Sequence, residues 1–166
     1  MVKHSGFRVM QGGGVSKICP GCGLLGELDG PSHAYIGASP YCWSRYGELL
    51  AAPGEKQDYV DAYAAQHPGV PGRRQVQSVI SHLVSICAAL EQMATPEWRI
   101  RLLRAATAQS GDFVWLEPPR DPGPVTVADV LAGTATGKDW TRAVWSAWAD
   151  HHAYVREWVA ELALDG

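Results

Sequence analysis

The sequence predicts a mostly α-helical bundle with a loop-rich N-terminal metal knuckle, and three observations carry that prediction. Apolar residues recur at helical spacing along Val76, Val79, Ile80, Leu83, Ile86, Cys87 and Leu90, the stripe a helix turns toward a core. Proline and glycine punctuate the chain at intervals that leave room for helices and little for paired strands. The segment Cys19-Pro-Gly-Cys22-Gly23 sets two thiols two residues apart across a tight turn.

Taken in order, residues 1–18, with Gly12, Gly13 and Gly14 in succession, read as a flexible lead, and residues 19–166 as one domain. Residues 19–40 are dense in turn-forming glycine and proline. Ser39 followed by Pro40 marks a helix start, and the helix runs to Pro53-Gly54. A second helix is expected over residues 56–66, stopped because the residue before Pro68 is pushed out of helical geometry. The third spans about residues 74–93, and a fourth starts at Thr95-Pro96 and ends near Gly111. Phe113 to Leu116 reads as a short strand before the loop PPRDPGP. A short helix capped by Thr126 follows, and one long Trp-rich helix over residues 138–164 closes the chain.

The chain has 166 residues, 46% of them hydrophobic and 19% charged, with seven Trp, which supports one folded domain and excludes wholesale disorder. A net charge of -3 without a run of Lys and Arg argues against nucleic acid as a partner. No stretch reaches the length of a membrane span, and the first residues lack the apolar centre of a secretion signal, so a cytoplasmic setting is expected. There the four cysteines stay reduced and free to bind metal. No phosphate-binding glycine loop and no serine nucleophile elbow is present.

Two thiolates supply half of a tetrahedral site for zinc or another divalent transition metal. The expected ligands are Cys19, Cys22, His67 and His82, the two histidines being brought together by an antiparallel helical hairpin, with His33 and Cys42 as alternatives that complete a Cys-x2-Cys-x10-His-x8-Cys set. Asp61 is expected as an orienting group or general base, His152, beside Trp145 and Trp148, as a further catalytic residue, and His151 or His152 as the third ligand of an open site built with His67 and His82. Cys87 reads as a small core residue.

The motifs CPGCG, GPSHAYIGASPYCW, VDAYAAQHPG and QSVISHL, with HHAYVREW near the end, together resemble a family of uncharacterised bacterial proteins common in actinomycetes. The resemblance covers roughly residues 17 to 92 and implies that Cys19, Cys22, His33, Cys42, Asp61, His67, His82 and His152 belong to the family's pattern. A second, architectural similarity is to helical-bundle metalloproteins related to damage-inducible and thiol-transferase proteins, in which three histidines hold one divalent ion. Those proteins lack a CPGCG knuckle, and shared fold does not fix function.

Three functions follow as expectations. The first is a metal-dependent enzyme acting on a small molecule. The second is a zinc-stabilised protein-interaction module presenting Trp43, Tyr46 and Trp115. The third is a thiol redox protein with a Cys19 to Cys22 disulfide. Oligomeric state is left open by the sequence.

Overall fold

The computed structural model describes residues 17–164, so residues 1–16 of the expected lead lie outside the described residues. Residues 17 and 18, assigned to that lead by the sequence, instead form β1 (Lys17–Ile18), which pairs antiparallel with β2 (Leu25–Gly26), Ile18 opposite Leu25. This two-stranded hairpin is the sheet of the described residues, and the CPGCG knuckle is its tip.

The rest is helical, as the periodicity requires. Helix α1 (Pro40–Ala51) starts where Ser39 accepts from the Cys42 N–H, with proline at the first helical position. Helix α2 (Gln57–Gln66) ends at His67, ahead of Pro68. Helix α3 (Arg73–Glu91) stops two residues short of the expected end, because Met93 takes a positive φ of 52° that no helix continues through. Helix α4 (Pro96–Gln109) is capped by Thr95. Helix α5 (Val127–Ala132) begins with a capping box of Thr126 and Asp129, satisfying two otherwise unpaired backbone donors.

Two expectations differ from the structure. Residues 113–116 pair with no strand among the described residues. Phe113 and Leu116 are buried and the Val114 N–H donates to the Tyr154 hydroxyl, so side-chain burial holds the segment extended. The single closing helix is also two, α6 (Gly137–Ala147) and α7 (His152–Leu164), joined by a 3-10 turn over Ala149–His151. The break has a cause in the core. The Trp148 indole donates to the Ala65 carbonyl at 3.1 Å, and the His152 ring nitrogen bonds the Trp145 carbonyl at 2.7 Å, taking an acceptor that a continuing helix would use.

Helix α3 lies at the centre, packed against α2, α4, α6 and α7. The core runs from Val79, Ile80, Leu83 and Ile86 to Trp140, Val144 and Trp148. Cys87 is buried among these residues, in line with its reading as core. The Gln66 amide joins α2 to both neighbours, accepting from the Trp140 indole at 3.1 Å and donating to the Val125 carbonyl at 2.8 Å. His67 follows directly, so the residue that enters the site stands beside an anchored turn of α2. Among the described residues no helix is long and apolar enough to cross a membrane.

Candidate metal centre

Three segments converge on one buried point. The knuckle brings Cys19 and Cys22. Its turn is closed by the Gly23 N–H donating to the Cys19 carbonyl at 2.9 Å, with Gly23 at φ 79°, a conformation that glycine adopts without strain. The capped first turn of α1 brings Cys42, whose sulfur meets the positive end of the helix dipole. The end of α2 brings His67.

The donor atoms of Cys19, Cys22, Cys42 and His67 all lie within 4.8 Å of one another, and all four residues are buried. Cys22 Sγ and Cys42 Sγ are 3.7 Å apart, and Cys42 Sγ is 3.4 Å from His67 Nε2. A tetrahedral zinc ion with its usual bond lengths sets edges of about 3.8 Å between two sulfurs and about 3.6 Å between sulfur and nitrogen. These two separations match those edges, and the other four are each no longer than 4.8 Å.

Surrounding groups orient the donors. His67 Nδ1 lies 2.7 Å from the Tyr63 carbonyl, an acceptor, so Nδ1 carries the proton and Nε2 keeps its lone pair for a metal. The Tyr63 ring stacks on the His67 ring at 4.0 Å, and its hydroxyl donates to Cys42 Sγ at 3.4 Å. The Ser39 N–H points at Cys19 Sγ from 3.5 Å. Gly21 is fixed by space: a Cβ there would stand 2.3 Å from His67 Cδ2 and 2.8 Å from the Gln66 carbonyl oxygen.

Three thiols this close cannot all ionise unaided. Hydrogen bonds from the Cys22 and Cys42 side chains, with His67 beside them, hold the Cys19 thiol far below the usual range. Its contact with Cys19 pushes Cys22 up to about 12, and the same two neighbours and burial push Cys42 up as well. Burial, then the Cys42 sulfur, raises the Tyr63 phenol. Such a set of mutually opposed anions is what a divalent cation neutralises.

The other residues singled out by the sequence lie elsewhere. His82 Nδ1 bonds Asp61 Oδ1 at 2.7 Å, so the group's third sulfur, Cys42, stands where the sequence reading put His82. The α2–α3 hairpin joins Asp61 to His82 and not His67 to His82, because Asp61 and His82 stand on the facing sides of α2 and α3 while His67 has already left its helix. His33 Nδ1 faces the Tyr35 and Ile36 amides at 3.3 Å, apart from the group. His152 stacks on Trp145 with ring centroids 3.8 Å apart and bonds its carbonyl, and His151 bonds the Glu117 carbonyl at 2.9 Å, so neither joins His67. Tyr46, expected at an exposed contact surface, is buried and stacked on Tyr63 at 3.8 Å.

Asp61 is the hub of a second buried network. Oδ1 accepts from His82 and from the Gln57 amide at 2.9 Å, and Oδ2 from Ser85 and from Arg99 at 2.6 Å. Arg99 also reaches Asp58 at 2.7 Å. Sequence reasoning missed Arg99 and Ser85, although Arg99 shares the buried stripe of α4 with Leu102 and Ala106 at helical spacing, and a charge on such a stripe signals a buried partner.

The sequence pattern of a family described as a family of unknown function (DUF5946) matches residues 17–149, which include all four donors, Asp61 and His82 but not His152. No curated protein and no solved structure matches the chain.

Proposed function

The chain belongs to the family of unknown function DUF5946, and we propose that its four-donor cluster holds one zinc ion in a structural role. The carrying observation is the pair of separations, 3.7 Å and 3.4 Å, that reproduce the edges of a tetrahedral shell of sulfur and nitrogen. Soft thiolates with one imidazole select zinc among the common divalent ions. The ion's work is to staple the N-terminal hairpin to α1 and to the end of α2.

Four protein donors fill a tetrahedron, whereas catalysis on a bound water needs an open position. The geometry therefore favours a zinc-stabilised module over an enzyme that uses this metal. Burial also weighs against thiol exchange, since the sulfurs of Cys19, Cys22 and Cys42 belong to residues 1%, 8% and 0% exposed. A bacterial cytoplasm suits the reading, because reduced thiols there remain free to take the ion.

Elemental analysis of the purified chain tests it, with one zinc per chain expected. Cys42→Ser and His67→Ala are expected to lose the metal and His82→Ala to keep it. Protein that purifies folded and metal-free, with no response to chelator, overturns the proposal.

A further inference from the structure

Helix α3 ends on a turn that glycine would suit better than the residue it carries. The Gln92 and Ala94 N–H groups both donate to the Ala88 carbonyl, each at 3.1 Å, and close the helix end. Met93 stands inside that turn at a φ of 52°, and its side chain is 89% exposed. A large apolar side chain held in a strained backbone conformation gains nothing from burial within its own copy, which points to a use outside it.

Met93 borders a surface groove of about 640 Å³ between the end of α3 and α6, with Leu90 and Trp145 in its apolar lining and Lys138 and Arg142 as its cations. Lys138 and Arg142 lie one turn apart on α6 and are both exposed. Neither comes within ion-pair distance of a carboxylate among the described residues. The nearby carboxylates are already engaged. Glu91 accepts twice from Arg156, and Asp139, which Arg142 attracts from beyond that distance, accepts from the Thr136 N–H in the cap of α6.

Helix α7 presents the opposite surface. Glu157, Ala160, Glu161 and Leu164 recur at helical spacing along one face, all exposed, with Leu164 at 86%. Glu157 and Glu161 are also one turn apart, and they form no ion pair among the described residues. The two surfaces adjoin, because Glu91, which lines the groove, is bonded by Arg156, the residue before Glu157.

We infer that α7 of a second copy of this chain docks in the groove, and that the exchange is mutual, giving a two-fold dimer. Glu157 and Glu161 of one copy meet Arg142 and Lys138 of the other, and Leu164 covers Met93. Two carboxylates and two cations at the same one-turn spacing, each pair beside an exposed apolar side chain, match in charge and in pitch. Groove and helix share one face of the molecule, so the patch is self-complementary, as a two-fold interface requires. None of the zinc donors lines the groove, and the inference stands apart from the metal reading.

Sedimentation equilibrium of the zinc-loaded full chain, run over a range of concentrations at low and at high salt, tests it. A dimer is expected at low salt, loosened as salt screens the ion pairs. Reversing the groove (Lys138→Glu with Arg142→Glu) or the helix (Glu157→Lys with Glu161→Lys) sets like charges against each other, and each variant alone is expected to associate roughly 100-fold more weakly or worse. An equimolar mixture of the two variants is expected to dimerise again, since each copy then faces its opposite charge. Met93→Gly removes the side chain and suits the backbone, so it is expected to weaken association roughly tenfold without lowering the unfolding midpoint. Monomer at every concentration in low salt, reversal variants that associate like the parent, a mixture that stays monomeric, or undiminished association of Met93→Gly overturns the inference.

Discussion

His67 and His82 are the two histidines that the sequence assigned to one metal, and the structure gives their rings opposite surroundings. His67 turns Nδ1 to a neutral carbonyl and Nε2 to a sulfur, inside a group of thiols that pairs with no Lys or Arg among the described residues. His82 turns Nδ1 to a carboxylate that Arg99 already neutralises, inside a network closed by the protein's own donors. What separates a metal site from a structural polar network is thus whether the charges sum to balance without an ion. The cluster does not, and the Asp61 network leaves no acceptor on its carboxylate unused.

The largest expected effect follows from that imbalance. Stripping zinc with a chelator, or substituting Cys42→Ser, is expected to lower the unfolding free energy by more than about 4 kcal/mol, because the ion's binding energy is folding energy for the hairpin it staples. Denaturant unfolding with and without chelator measures it. A midpoint unmoved by chelator in the zinc-loaded protein would erase the contrast between the two regions.

Next comes the closed network. Asp61→Asn leaves Arg99 buried with half of its charge partner gone and is expected to cost about 3 to 5 kcal/mol while zinc stays at one per chain. Loss of zinc together with stability in this variant would show that the two regions form one site after all.

A subtler change sharpens the contrast from the metal side. Gly21→Ala places a methyl against the His67 ring and the Gln66 carbonyl, and is expected to weaken zinc about 10- to 100-fold in a competition titration with a chromogenic chelator, the range seen when a ligand's supporting contacts are disturbed. The same substitution at Gly23 meets open space but a φ of 79°, so its effect falls on folding of the turn instead of on the ring.

These regions also show what could be read from the chain. The CPGCG turn, the Ser39-Pro40 start and the α3 stripe are local signals, and each led to an element or a pair of donors that the structure contains. The choice of the last two donors was not local. Cys42 and His67 are joined only by the packing of α1 against the knuckle and the end of α2, and a helix carrying an inward cysteine at its third position reads in sequence like any amphipathic start. His82 looked like a ligand because an imidazole beside an apolar stripe needs a partner. Its partner is Asp61, one of the three residues, with Tyr63 and Gln66, that the preceding helix offers it in the sequence. The division of the closing helix was hidden for a similar reason, since it depends on a Trp148 bond to α2 that no periodicity encodes.

The smallest expected effect lies on the surface between α3 and α7, where Glu91 accepts from Arg156 Nε at 2.9 Å and from its terminal nitrogen at 2.6 Å. Arg156 holds the Glu91 carboxyl down at about 2, against an ordinary value of 4.5. A carboxyl lowered by folding stabilises the native state above the unfolded value and loses that contribution as the pH falls through the folded one. Solvent screens this half-open pair, so Glu91→Gln is expected to shift the unfolding midpoint only slightly at pH 7. The difference from the parent protein is expected to narrow as the pH is lowered from 4.5 toward 2. Paired denaturant curves at several pH values measure it, and a gap that widens on acidification would mean that Arg156 stabilises α7 by packing along its stem and not through charge.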